Sequence, residues 1–245
     1  MNTAVISENG IRLGMEDAYY LDPDFGGKGW IYGGIYDGHN GDYAAKYAAE
    51  RLHRICLERL LSGLAPGQAF TLSYETVSQE VSQQESGTTA VDFLIQDRRI
   101  FTANVGDTRA IVIRQSGASQ LTVDHRVDNA EERARVIKMG SYIDYPYVVR
   151  ENLGLMPTRS IGDQYFKAVG VIATPSISEH LITPDDLMLV AACDGLWDFI
   201  NNEEVAALAR EHPEPKLLLD ILTHEVLVNR LGTDNLTMIV VSLHR

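Results

Sequence analysis

Three apolar segments rich in β-branched residues follow one another almost without a break: Thr88–Gln96, Ile100–Val105 and Ala110–Arg114. Asp97-Arg98-Arg99 and Gly106-Asp107-Thr108 lie in the short gaps between them, and both read as turns. A parallel pair needs a crossover of a dozen or more residues, so these strands must pair antiparallel. Trp30–Tyr36 (WIYGGIY) and Leu187–Cys193 (LMLVAAC) read as further buried strands, and Leu236–Leu243 as another. Helical spacing marks Asp42–Leu61, with Ala44, Ala48, Leu52 and Ile55 on one face and Lys46, Glu50, Arg54 and Glu58 on the other. Phe70, Tyr74, Val77 and Val81 repeat that spacing. Shorter helices are expected at Asn129–Met139, with Asp128 placed to cap its start and Gly140 to end it, and near Glu203–Arg210 and Lys216–Arg230. Strands in runs followed by paired helices predict an α+β layered domain rather than a doubly wound parallel sheet.

No linker, repeat or low-complexity tract divides the 245 residues, so we expect one domain over 1–245. The 34 acidic and 21 basic residues give a formal charge of −13, which repels nucleic acid and anionic membranes. No apolar run approaches the ~18 residues of a membrane span. A soluble, cytoplasmic monomer is the expectation. Cys56 and Cys193 are too few for a disulfide framework or a four-cysteine zinc site, and both lie in apolar segments as buried thiols would.

An aspartate recurs where apolar strands stop or start. Asp37 ends the first buried strand in YDGHNG, Asp194 ends the late one in CDGLWD, and Asp234 precedes the last in GTDNLT. Asp107 sits between two strands in NVGDTR, and Glu16 and Asp17 stand together in RLGMED. Singly, Asp-Gly and Asp-Asn are ordinary turn signals. Together, carboxylates gathered at one sheet edge repel one another unless cations lie among them. Oxygen donors without His or Cys clusters suit hard divalent ions.

These motifs, in this order, resemble the metal-dependent type 2C family of protein serine/threonine phosphatases. RLGMED at Arg12–Asp17, YDGHNG at Tyr36–Gly41, SGTTA at Ser86–Ala90 and ANVGDTRA at Ala103–Ala110 carry the likeness. It continues through LTVDH at Leu121–His125, MPTRSIGD at Met156–Asp163, ATPSIS at Ala173–Ser178, CDGLWD at Cys193–Asp198 and TDNLT at Thr233–Thr237. The resemblance implies a four-layer α/β/β/α sandwich, two antiparallel sheets face to face with helices outside. It implies hydrolysis of phosphoserine and phosphothreonine in phosphoproteins by direct attack of a water bridging two Mg²⁺ or Mn²⁺ ions.

Position by position, the resemblance gives Asp37 the role of bridging both ions. Gly38 would contribute its carbonyl, Asp194 and Asp234 direct carboxylate ligation, and Glu16 a contact through water. Arg12 would grip the phosphate, and His39 would be the general acid. Asp107 and Asp198, with Asp194, match a third and weaker ion site of some members. Arg159 and Asp163 read as structural, Trp197 and Phe199 as core, and Gln164–Val171 as a short version of the family's variable flap. Three alternatives stand beside this reading: a cysteine phosphatase using Cys193, a hydrolase of small phosphate esters or nucleotides, and a degenerate member that only binds partners.

Overall fold

The computed structural model describes residues 1–244. Two five-stranded antiparallel sheets face each other. The first runs, from edge to edge, Ser176–Leu181, Arg99–Val105, Ala90–Gln96, Trp30–Tyr36 and Ala18–Phe25. The second runs Thr3–Glu8, Leu236–Ser242, Asp186–Ala192, Arg109–Arg114 and Gly117–Gln120. Side chains alternate across each strand with period two, and this sorts the apolar residues into layers. Ile31 and Ile35 join Val91, Phe93, Val112, Leu189, Ile239 and Val241 between the sheets. Tyr32, Tyr36 and Leu94 turn the other way, onto helices Tyr43–Leu61 and Pro66–Glu80, where Leu52, Ile55, Phe70 and Tyr74 meet them. On the far side Val190, Met238 and Val240 pack against helices Asn202–Glu211 and Pro215–His224 through Val205, Leu218 and Leu222. The order of layers is helix, sheet, sheet, helix, the expected α+β sandwich. Burial on both faces is why the central strands read as unbroken apolar runs.

The strands Thr3–Glu8 and Ala18–Phe25 carry no comparable sequence signal. Both are edge strands with largely half-buried side chains, and the second contains Pro23 beside a register shift between Asp22 and Phe25. The helix Ala130–Lys138 is capped by Asn129, not Asp128. Asn129 Oδ1 accepts from the backbone N–H groups of Glu131 and Glu132. Likewise Asn201, in a capping box with Glu204, caps Asn202–Glu211. The segment Gln164–Val171 contains a short helix, Gln164–Lys167. The larger added element is a three-stranded sheet, Tyr142–Asp144, Tyr147–Arg150 and Leu153–Leu155, packed with Ala130–Lys138 around Val136, Val148 and Phe166. Among the described residues, no helix is long and apolar enough to cross a membrane.

Candidate metal centre

A cleft of about 910 Å³ opens at one end of the two main sheets. Arg12, Glu16, Asp37, Gly38, His39, Asp107, Asp194 and Asp234 all line it, so residues 222 positions apart in the chain converge. Asp198 stands just outside, bonded to Arg126.

The two Asp-Gly pairs do not form turns. Gly38–His39 continues as a short strand beside Gly87–Thr88, which also pairs with Ile161–Gly162. This small sheet brings the YDGH, SGTT and SIGD segments together. Asp194-Gly195 instead opens the short helix Asp194–Trp197. The glycines serve close approach. A Cβ on Gly38 would strike the Glu16 carbonyl oxygen, and one on Gly195 the Asn235 carbonyl oxygen. The Asp37 carbonyl accepts from Thr89 N–H at 2.9 Å and Thr88 Oγ1 at 3.0 Å, which fixes the backbone below the carboxylate.

Asn235 pins the opposite wall. Its Nδ2 donates to the carbonyls of Asn9 (2.9 Å) and Gly14 (3.1 Å), and its Oδ1 accepts from Glu16 N–H at 2.9 Å. The loop carrying Arg12 and Glu16 is thereby held against Asp234. Arg12 Nη2 donates to Asp234 Oδ2 at 2.6 Å, and Glu16 Oε1 accepts from Gly41 N–H at 2.7 Å.

The carboxylates disturb one another. Burial, then the charges of Asp194, Asp17 and Asp107, hold Asp37 well above the usual carboxylate range. Burial, with Asp107 and Asp198, pushes Asp194 up to about 7 against the pull of Arg126. Burial pushes Asp17 up to about 6, and its Oδ2 is a buried acceptor with no partner. Asp17 is visible in RLGMED, but the sequence alone gives it no role beside Glu16. Such a floor of acceptors fits hard cations, for which carboxylate oxygens are the natural ligands. Among the described residues, however, no three His, Cys, Asp or Glu side chains stand closely enough to enclose an ion as placed. Guanidinium groups face several of these oxygens: Arg12 donates to Asp234, and Arg126 to Asp107, Asp194 and Asp198.

Raised carboxylate pKa values have a definite sign in stability. Between about pH 4 and 7 the folded chain holds protons that the unfolded chain has released. The metal-free protein therefore loses stability from these groups as pH rises through that window. Added Mg²⁺ or Mn²⁺ should raise the melting temperature more at pH 8 than at pH 5, measured with and without chelator. Equal increments at both pH values would count against a carboxylate site.

His39 Nε2 lies 2.8 Å from Asp163 Oδ2. Burial alone would lower the imidazole, but Asp163, with Asp107 and Glu16, more than offsets it and raises the group above its ordinary value. Asp163 is buried and left-handed (φ 47°), a costly conformation for a non-glycine residue. It also lines the cleft, where it holds His39, beside the structural role expected for it from sequence. Arg159 does act structurally, donating to Glu132 at 2.7 Å on the first turn of Ala130–Lys138. Trp197 is buried and Phe199 partly buried, both in the helix-side core. Leu153–Pro157 and Gln164–Phe166 supply the outer rim of the cleft. The added sheet and the short helix thus share the place expected of Gln164–Val171 alone.

A face-to-face pair of antiparallel sheets with a carboxylate cleft at one end defines a class of fold and site. The sequence profile of protein phosphatase 2C matches residues 1–226, and the chain belongs to that family. It is 31% identical over 255 residues to protein phosphatase 2C homolog 1 of Saccharomyces cerevisiae, an alignment covering 95% of this chain and 89% of that protein. It is 37% identical to a protein kinase and PP2C-like domain-containing protein of Arabidopsis thaliana, covering 96% of this chain and 38% of that one. Among solved structures, a serine-threonine phosphatase 2C from Toxoplasma gondii superposes with a TM-score of 0.85 at 20% identity, over 98% of this chain and 94% of that one. A sex-determining protein of C. elegans gives 0.87 at 20% identity, over 99% of this chain and 65% of that one. At that identity the likeness speaks for a shared fold.

Proposed function

We propose that residues 1–245 form a single catalytic domain that hydrolyses phosphoserine and phosphothreonine in proteins with two bound Mg²⁺ or Mn²⁺ ions. The observation that carries this reading is the meeting of Asp37, Asp194 and Asp234 in one cleft, over the unpartnered acceptor of Asp17. Asp37, Gly38, Asp194 and Asp234 would hold the ions, with Glu16 acting through water. When bound, such a pair lowers the pKa of a shared water, making it the nucleophile, and offsets charge on the phosphoryl oxygens.

The chain's own groups do the rest. Arg12 is more than half exposed and pairs with Asp234. With Asp234 engaged elsewhere, its planar fork is free to take two phosphoryl oxygens. His39, whose charged form Asp163 favours, gives its proton to the departing serine or threonine oxygen. Asp163 fixes the orientation of the ring through Nε2.

Chelator-sensitive release of phosphate from a phosphothreonine peptide, compared with a nucleoside monophosphate, tests this reading. We expect the peptide to be favoured. Preference for the nucleotide would move the assignment to small phosphate esters, and inactivity toward a generic aryl phosphate would point to a binding protein.

A thiolate mechanism has little to stand on. Cys193 is fully buried, burial holds its thiol far above the normal range, and the nearby carboxylates push the same way. Its sulfur accepts from Thr237 N–H at 3.2 Å. Cys56 is buried too. Alkylating reagents applied to the native protein should leave activity within about 20% of its starting value, since neither thiol is reachable. Stoichiometric modification of Cys193 with loss of turnover would overturn that expectation.

A further inference from the structure

The three carboxylates that resemble a third ion site already share a cation. Arg126 Nε donates to Asp107 Oδ2 at 2.6 Å, and its Nη2 donates to Asp198 Oδ1 at 3.0 Å and to Asp194 Oδ2 at 3.3 Å. The arginine is firmly seated. It follows His125, which is fully buried and whose N–H donates to the carbonyl of Gly106, directly before Asp107. The His125 carbonyl in turn accepts from Thr158 N–H at 2.8 Å, and the Arg126 carbonyl from Asn129 N–H at 3.1 Å. Both sides of the loop are thus fastened, and the guanidinium points into the carboxylates with only a quarter of its side chain exposed.

We propose that Arg126 is the built-in cation of this position, so that the chain works with two divalent ions and no third. A guanidinium is charged at every accessible pH. Its N–H groups use the carboxylate lone pairs that an ion would need. An octahedral divalent ion requires near-ideal oxygen geometry at short distances, and the guanidinium plane stands in that space. Arg126 also engages Oδ2 of Asp194 and leaves Oδ1 for the main centre. It is a positioning residue: it orients a ligand and balances its neighbours without touching substrate.

This inference rests on the two-ion reading above, and counting bound Mn²⁺ by the loss of the free-ion EPR signal separates the two. For the native chain we expect saturation at two ions. Fewer than two would overturn the two-ion reading itself. Three would overturn the role of Arg126 alone. Arg126→Met should gain a third saturable ion, bound at least ~10-fold more tightly than any third ion on the native chain, the scale of losing a charge-assisted hydrogen-bond donor. A count that stays at two in a folded Arg126→Met protein would overturn the proposal. Asp198 is half-exposed, so Asp198→Ala should fold in any case. In the native background it should leave the count at two, and loss of an ion would again sink the idea.

Discussion

Asp37→Asn should lower metal-dependent turnover by at least ~10³-fold, about 4 kcal/mol of barrier, while leaving the metal-free protein as stable as before or more so. The two halves of that expectation have one cause. Asp37 carries its charge at a cost in the bare cleft, because burial and the charges of Asp194, Asp17 and Asp107 all oppose it. An isosteric amide removes that repulsion. It leaves the carbonyl of residue 37 bonded to Thr88 and Thr89, so the strand end stays in place. The charge that a pair of cations needs is gone, and the melting-temperature rise on adding Mn²⁺ should shrink with it. Kinetics with a phosphopeptide and thermal melts with and without Mn²⁺ check both halves. Native turnover in the variant would place the chemistry elsewhere.

The carboxylates are more legible in the sequence than their neighbours. Asp37 and Asp194 stand out because each ends an unbroken apolar run, and a strand buried on both faces has few ways to end. The glycine after each departs from its local signal. Asp-Gly suggests a tight turn, but Gly38 extends a strand and Gly195 enters a helix. Both glycines answer to backbone that approaches from distant segments, at Glu16 and Asn235, and no local pattern encodes that. Asp163 and Arg126 illustrate the same limit. Their partners lie 124 and up to 72 residues away, so a role depends on topology and not on spacing. Edge strands escape for a different reason. Thr3–Glu8 and Ala18–Phe25 bury too little on either face to show a clean period. The choice of Asn129 over Asp128 as a helix cap is a one-residue matter that two adjacent good cappers leave open from sequence.

The largest stability effect should come from Asp92, a residue outside the cleft. Asp92 is fully buried under helix Pro66–Glu80. Its Oδ1 accepts from Tyr32 Oη at 2.7 Å and Tyr36 Oη at 2.6 Å, and its Oδ2 accepts from Tyr74 Oη at 2.6 Å. Tyr74 Oη also lies 2.9 Å from the Ala103 carbonyl, a second acceptor. Asp92→Ala leaves the hydroxyls of Tyr32 and Tyr36 without an acceptor, at ~1–3 kcal/mol each, and opens a small cavity. We expect a loss of about 3–5 kcal/mol, or ~10 °C in melting temperature for a chain of this size. Asp92→Asn should behave differently. The amide oxygen keeps Tyr32 and Tyr36, and the amide nitrogen can donate to Tyr74, which turns its proton to Ala103. Burial pushes Asp92 up to about 6 even though the three tyrosines favour its charge. The folded state therefore holds a proton there that the unfolded state has lost above about pH 4, and stability from this group declines as pH rises through 6. Asn lacks that decline, so its melting temperature relative to the native chain should be higher at pH 7.5 than at pH 5. An alanine variant within about 1 kcal/mol of native in urea unfolding would show the network to be dispensable. Because Tyr36 immediately precedes Asp37, a loosened network should also weaken Mn²⁺ binding, joining the stability of the core to the order of the cleft.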